Sequence, residues 1–334
     1  QQTALQNVDL SFSTLIQSTF GQPFSAMFAG TISPDGTLLA TGEINGQIRV
    51  WNVANYQLVA TLIGHANWIW SMAFSPDGTL LATGSQDHTI KLWHVQTGQL
   101  LATLQDTPTH CLSVTFSPDG HILASGSGDG MIRLWDVATA EIVEQWQAHP
   151  AGTWSVAFTP DGQRLASAGD DDYTIKFWDT KTKTLLQTWE GHTNSIRMIR
   201  FSPDGTVLAS GGRDRTVRLW NMQCGDVQQG QILSVLELSN WVWAIAFSPD
   251  GATLATGDID YFVKLWQIDT GKLLRTLSGH GSWIWSVQFA LDGTVLATGS
   301  QDQTIKFWQV NTGQLLKTLK GYTNWIMSVD FTCD

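Results

Sequence analysis

GHANWIWSMAFSPDGTLLATGSQDHTIKLW, residues 64–93, holds the pattern from which the fold is read. Trp68 to Phe74 alternates Ile69, Ser71 and Ala73 with Trp70, Met72 and Phe74, the period-two signature of a half-buried strand. Ser75-Pro76-Asp77-Gly78 is a tight turn, because Pro presets φ at its second position and Gly suits its fourth. Thr79 to Ser85 is the next strand, small and apolar, and Gln86-Asp87-His88 turns the chain into Thr89 to Trp93. Ahead of this stretch Gln57 to Leu62 supplies one more strand, and Gln96-Thr97-Gly98 makes the turn behind it. The unit reads as four short strands with no helical periodicity.

The unit recurs. A Trp closes the same short strand at Trp51, Trp93, Trp135, Trp178, Trp220, Trp266 and Trp308, at intervals of 42, 42, 43, 42, 46 and 42 residues. The tight turn keeps step, starting at Ser33, Ser75, Ser117, Thr159, Ser202, Ser248 and Ala290. A length of 334 residues alone points to about two domains. The period overrides that estimate, since a unit near 40 residues cannot enclose a core and must share one with its neighbours. The expectation is all-β: antiparallel four-stranded units arranged radially.

Composition narrows the function. Apolar content is ordinary at 43 %, charge is low at 14 %, and 17 Trp is a large excess. With 18 basic against 29 acidic residues the net charge is −11, and no basic stripe exists to neutralise phosphates, so nucleic acid is excluded as a partner. A basic protein, a cationic peptide or a neutral ligand suits this charge better. No apolar run approaches the ~18 residues of a membrane span. Cys111, Cys224 and Cys333 are too few and too far apart for a disulfide framework or a zinc site, which favours a reducing compartment. Gln1 to Asn7 shows no signal-peptide pattern, and the expected location is cytoplasmic.

The Gly-His pair before the first strand, the Ser-Pro-Asp-Gly turn, the Asp of the following turn and the closing Trp together resemble the WD-repeat family. Trp-Asp itself stands at Trp135-Asp136 and Trp178-Asp179, and Asn, His or Gln follows the other repeat Trp. The resemblance covers about residues 15–322 and implies a seven-bladed β-propeller with four-stranded antiparallel blades. It also implies a structural hydrogen-bond network in four units: His65, Thr83, Asp87 and Trp93; His149, Ser167, Asp172 and Trp178; His192, Ser210, Asp214 and Trp220; His280, Thr298, Asp302 and Trp308. Ser85 competes with Thr83 for the hydroxyl role. Pro23, Thr107 and Leu238 stand where His is expected, and Asn45 replaces Asp, so those three units are expected to be looser at these loops. Extra residues near 169–172 and 224–230 fall in loops, where length costs little.

The ends do not make a simple ring. Residues 1–14 read as a lead-in, Leu15 to Phe20 as an outer strand, and residues 323–334 as a surplus inner strand or the start of a truncated further repeat. Seven blades with a spare strand at each end is the simplest solution; an incomplete eight-bladed or oligomer-completed propeller is the alternative. Uncovered strands pair readily, so self-association through the end strands is an expectation. The Asn7-Val8-Asp9-Leu10-Ser11 run, with units as alike as Leu80 to Trp93 and Leu296 to Trp308, resembles the C-terminal propellers of cyanobacterial multidomain signalling proteins. That resemblance implies a sensor joined to a signalling ATPase, and a chain that is one piece of a larger protein.

Ten Trp lie outside the periodic seven. Trp146 and Trp189, three residues before His149 and His192, are expected on outer strands between blades. Trp68, Trp70, Trp154, Trp241, Trp243, Trp283, Trp285 and Trp325 all flank the start of the inner strand, where the fifth unit carries Ser195 and Arg197. In WD-repeat propellers these positions surround the central channel on the face that engages partners. Two readings stay open: an aromatic basin for cationic groups or sugar faces, or indoles that pack on neighbouring blades and plug the ring. Arg197 joins the candidates.

Other motifs carry less. Gly126-Ser127-Gly128-Asp129-Gly130 resembles a phosphate loop but no helix follows it, so it reads as a tight turn. Asp170-Asp171-Asp172 lacks the downstream residues of a calcium loop and reads as a solvated turn, with Asp172 in the network. His88, His94 and His121 lie singly and suggest no metal. No nucleophile stands beside a base outside the repeating networks, and an active site does not recur in every repeat. No enzyme activity and no cofactor are expected. The function classes are a protein-interaction or sensing module, a carbohydrate or small-ligand binder, and a structural oligomerisation unit.

Overall fold

A computed structural model describes residues 27–43, 45–52, 57–105, 109–223 and 230–320. These residues form seven four-stranded antiparallel sheets, each a meander of consecutive strands. Blade 1 comprises Met27–Ile32, Leu38–Glu43, Gln47–Asn52 and Leu58–Ile63. Blade 2 comprises Ile69–Phe74, Leu80–Ser85, Thr89–His94 and Leu100–Gln105. The pattern continues to blade 7, whose outer strand is Leu315–Lys320. Inner strands of successive blades lie side by side around an axis, and the inner strand of blade 1 approaches that of blade 7 to close the ring. Each described blade is completed by its own consecutive residues, so the architecture is seven-bladed and not eight-bladed. The expected lead-in, the Leu15 to Phe20 strand and the stretch 323–334 lie outside the described residues.

Small residues on the second strand set the distance between blades. Leu81, Ala82, Thr83, Gly84 and Ser85 are all buried. The inner strand of blade 3 presses so closely that a Cβ on Gly84 would lie 2.6 Å from Cys111 Sγ, which is itself a buried free thiol. Hydroxyls then tie the inner strands together: Ser71 accepts from Val114 N at 3.0 Å, Ser113 from Val156 N at 3.2 Å and Ser155 from Ile199 N at 3.2 Å. The tight turns link as well. In blade 2 the Ser75 hydroxyl donates to Asp77 at 2.5 Å, Gly78 takes a φ of 71° that favours glycine, and its Cα side faces Pro34 of the preceding turn.

Between blades the filling is aromatic. Trp220, 1 % exposed, stacks on Trp189 with ring centroids 5.5 Å apart, and Phe177 meets the other side of Trp189 at 4.3 Å. Trp146 packs on Trp178 of the next blade at 5.5 Å. Burying 150–250 Å² of an aromatic side chain at roughly 25 cal/mol per Å² stabilises by on the order of 4–6 kcal/mol as an upper figure. Trp220→Ala is therefore expected to lower the unfolding free energy by about 3–5 kcal/mol in urea titration. Leu186→Ala, on a half-exposed outer strand, is expected to change it by less than about 1 kcal/mol. Equal effects of the two would contradict this account of the packing.

Candidate functional site

One polar chain organises each of four blades. In blade 2 the Trp93 indole donates to Thr83 Oγ1 at 2.9 Å, and His65 Nε2 meets the same hydroxyl at 2.7 Å. His65 Nδ1 lies 2.8 Å from Asp87 Oδ2. The directions agree with the indole donating to the hydroxyl and Nδ1–H donating to the carboxylate. Ser85 stays outside the chain, donating to Asn67 O and accepting from Asp87 N. The same contacts join His149, Ser167, Asp172 and Trp178, with His149 to Asp172 at 2.8 Å. They recur in His192, Ser210, Asp214 and Trp220, and in His280, Thr298, Asp302 and Trp308. Asp87 also accepts from Thr89 N at 3.0 Å, closing a turn that holds His88 at a φ of 68°.

Blades 1, 3 and 6 replace the imidazole with a cation from the third strand. Arg49 Nε lies 2.9 Å from Glu43 in blade 1, both nearly inaccessible. Arg133 donates to Ser127 Oγ at 2.6 Å and to Asp129 at 2.8 Å in blade 3. Lys264 lies 3.6 Å from Asp258 in blade 6. The expectation of looser loops rested on the missing His and on Asn45 in blade 1; each of these blades keeps a buried polar clasp. The signal was present in the sequence, since the residue two before every repeat Trp is Lys or Arg. Burial raises the Asp258 carboxyl, and Lys264 at that distance does not offset it.

The Trp that flank the inner strands fall into two tiers. At the second position, Trp70 of blade 2 meets Trp154 of blade 4 edge-on at 6.0 Å, and Trp154 meets Trp243 of blade 6 at 6.3 Å. These blades are not neighbours, so their side chains touch across the central channel. Trp285 of blade 7 joins Trp243 at 4.7 Å. Arg197 takes the same position in blade 5, with its guanidinium carbon 3.6 Å from the Trp154 ring centroid and 5.2 Å from that of Trp243. The indole nitrogens of Trp70, Trp154, Trp243 and Trp285 are buried. This tier places four partly buried indoles and one guanidinium in contact across the channel.

At the first position, Trp68 leans on Trp70 at 5.9 Å and Trp283 on Trp285 at 5.4 Å, while Arg213 lies over Trp241 at 4.7 Å. Residues of the turn after the second strand pair with this tier through the backbone: Gln86 N to Trp68 O, Asp170 N to Gly152 O, Arg213 N to Ser195 O, and Gln301 N to Trp283 O. The rim is therefore aromatic with polar side chains between. Trp325 lies outside the described residues.

Asp170 departs from the reading of a solvated turn. The Ser195 hydroxyl donates to it, and Arg197 Nη2 lies 3.5 Å away. Burial would raise its carboxyl, but Ser195 and the charges of Arg197 and Arg213 hold it below the ordinary range. The fold also brings His88 and His110 of adjacent blades to 6.1 Å between ring centroids, although they are 22 residues apart in sequence. Among the described residues no group of three or more His, Cys, Asp or Glu is placed to hold a metal, and no helix is long and apolar enough to cross a membrane.

The comparisons with known proteins agree with this geometry. The profile for the WD domain, G-beta repeat, matches residues 183–221, 230–267 and 271–309, and that of the IFT122 first beta-propeller matches residues 26–172. The chain is a WD40-repeat seven-bladed β-propeller, an architecture that works as a non-catalytic protein-interaction scaffold. It is similar to the uncharacterized WD repeat-containing protein alr2800 of Nostoc sp. (strain PCC 7120), with 39 % identity over 65 residues, 20 % of this chain and 5 % of that protein. The chain thus spans a small part of the relative it matches.

The networks make stability depend on acid. Burial pushes the Asp214 and Asp302 carboxyls up, but the hydrogen bonds and charges of His192 and His280, with Thr216 and Thr304, hold both at about 2, below the ordinary 3.8. Burial also holds His280 below its ordinary value. Carboxyls lowered in the folded state stabilise fully above their unfolded value and lose that contribution as pH falls through the folded value. Urea titrations are expected to show stability falling from about pH 4 toward pH 2. Asp214→Asn should cost about 1–3 kcal/mol at pH 7 and flatten part of the acid slope. An unchanged slope would sever Asp214 from the network.

Proposed function

We propose that the propeller is a protein-interaction and ligand-sensing module whose partner docks on the Trp-rich face around the central channel. One observation supports this most: Trp68 and Trp283 lean on second-position indoles that meet others across the channel, and Trp241 carries Arg213 on its face. The second-position indoles have a structural task there, which leaves the first-position indoles as the candidates for recognition. Trp combines a large contact area with few rotatable bonds, which is why it is enriched among residues that dominate binding. The repeating polar networks are read as structural, because they recur from blade to blade.

The partial likeness to a WD repeat-containing protein of Nostoc fits a bacterial relative, and we take the propeller to be the sensor of a longer signalling protein. Cys111 as a free buried thiol fits a reducing, cytoplasmic compartment. Capture from lysate of the source cell tests the docking reading. The partner recovered by the native propeller is expected to fall at least tenfold with Trp68→Ala, Trp241→Ala and Trp283→Ala combined, at a melting temperature within a few degrees of native. Equal recovery by the native and triple-substituted forms would rule out the rim.

A further inference from the structure

We propose that the sector of this face between blades 4 and 6 is a carboxylate-binding subsite, filled by an acidic side chain of the docked peptide; the inference rests on the reading of the face as a docking surface. Arg197 is the centre of the argument. Its side chain is 2 % exposed and lies against the faces of Trp154 and Trp243. The carboxylate beside it, Asp170, is 3.5 Å from Nη2, receives the Ser195 hydroxyl and also feels Arg213. Two guanidiniums, Arg197 and Arg213, thus act on the one carboxylate of Asp170.

The donors tell the same story. Arg197 Nε and Nη1, Arg213 Nε and Trp243 Nε1 are buried and donate to no acceptor among the described residues. A buried donor left unsatisfied is costly, and a guanidinium matches the two oxygens of a carboxylate in a planar fork. Burial, together with repulsion from Arg213, brings the Arg197 pKa down to about 9, the response of a cation short of negative charge. A cationic ligand finds little here. The faces of Trp154 and Trp243 hold Arg197, and that of Trp241 holds Arg213, so the cations of the cation–π contacts are the protein's own. Trp241 and Trp283 on the adjoining rim offer contact area beyond the reach of a small free acid, which favours a peptide as the bearer.

The test is calorimetric titration of the native propeller in 0.15 M salt with acetyl-tetraglutamate amide, its tetraglutamine and tetralysine counterparts, and free glutarate. Tetraglutamate is expected to bind at least tenfold more tightly than the other three. Arg213→Gln should weaken it at least tenfold, and Arg197→Gln should do the same; the rim position of Arg213 keeps the test valid if Arg197→Gln disturbs the second-position tier. Salt supplies a second sign. The acidic chain repels an acidic peptide at long range, so raising salt should leave affinity unchanged or improve it, whereas nonspecific ion pairing would weaken. Binding of tetraglutamine equal to tetraglutamate, or no effect of Arg213→Gln, overturns the subsite. Tight binding of glutarate alone overturns the peptide-borne source. If the subsite fails while the rim substitutions still abolish capture from lysate, the docking face stands without it.

Discussion

An indole N–H buried at the middle of a blade must find an acceptor, and that constraint runs through the molecule. In all seven described blades the repeat Trp donates to a Ser or Thr hydroxyl on the second strand, at 2.8–3.0 Å. The hydroxyl then needs its own partner, and the blades answer in two ways. Four use His backed by Asp; in blades 1 and 6 the hydroxyl donates to the backbone carbonyl of the third-strand cation, Thr41 to Arg49 O and Thr256 to Lys264 O, while the cation's own side chain pairs with a carboxylate. Either choice fixes the turn that faces the channel, and with it the place where the inner strand of the same blade begins. The position of the rim follows from the interior of the blades.

The same economy explains the channel. A ring of seven inner strands leaves an opening that small residues would leave open to water. Large side chains at the second position of blades 2, 4, 6 and 7 meet across it, and Arg197 completes the layer in blade 5. A guanidinium is tolerated there because two indole faces replace part of its hydration and Asp170 supplies charge.

Much of this was legible in the chain. The intervals between Trp51, Trp93 and their successors, with the Ser-Pro-Asp-Gly turns in phase, specify the blades. The positions of His65, Thr83 and Asp87 specify who can meet whom, because antiparallel register places them on one side of one sheet. What the sequence could not show was distance across the axis. Trp70, Trp154 and Trp243 sit in blades that are not neighbours, and no local pattern reveals that their rings touch. Asp170 was misread for the same reason: its partners, Ser195 and Arg197, come from the next blade. The cations behind the blades without His were visible as a basic residue two before every repeat Trp, but a periodic charge on a strand reads first as a solvated face.

The division of the Trp into a second-position tier and a rim is the claim on which the functional account stands. Indole N–H exchange with solvent, read residue by residue by ¹⁵N NMR with assignment by single Trp→Phe substitutions, tests it directly. Trp70, Trp154, Trp243 and Trp285 are expected to exchange as slowly as the blade indoles of Trp93 and Trp220. Exchange of those four at the rate of free indole would mean an open, water-filled channel and would contradict the account.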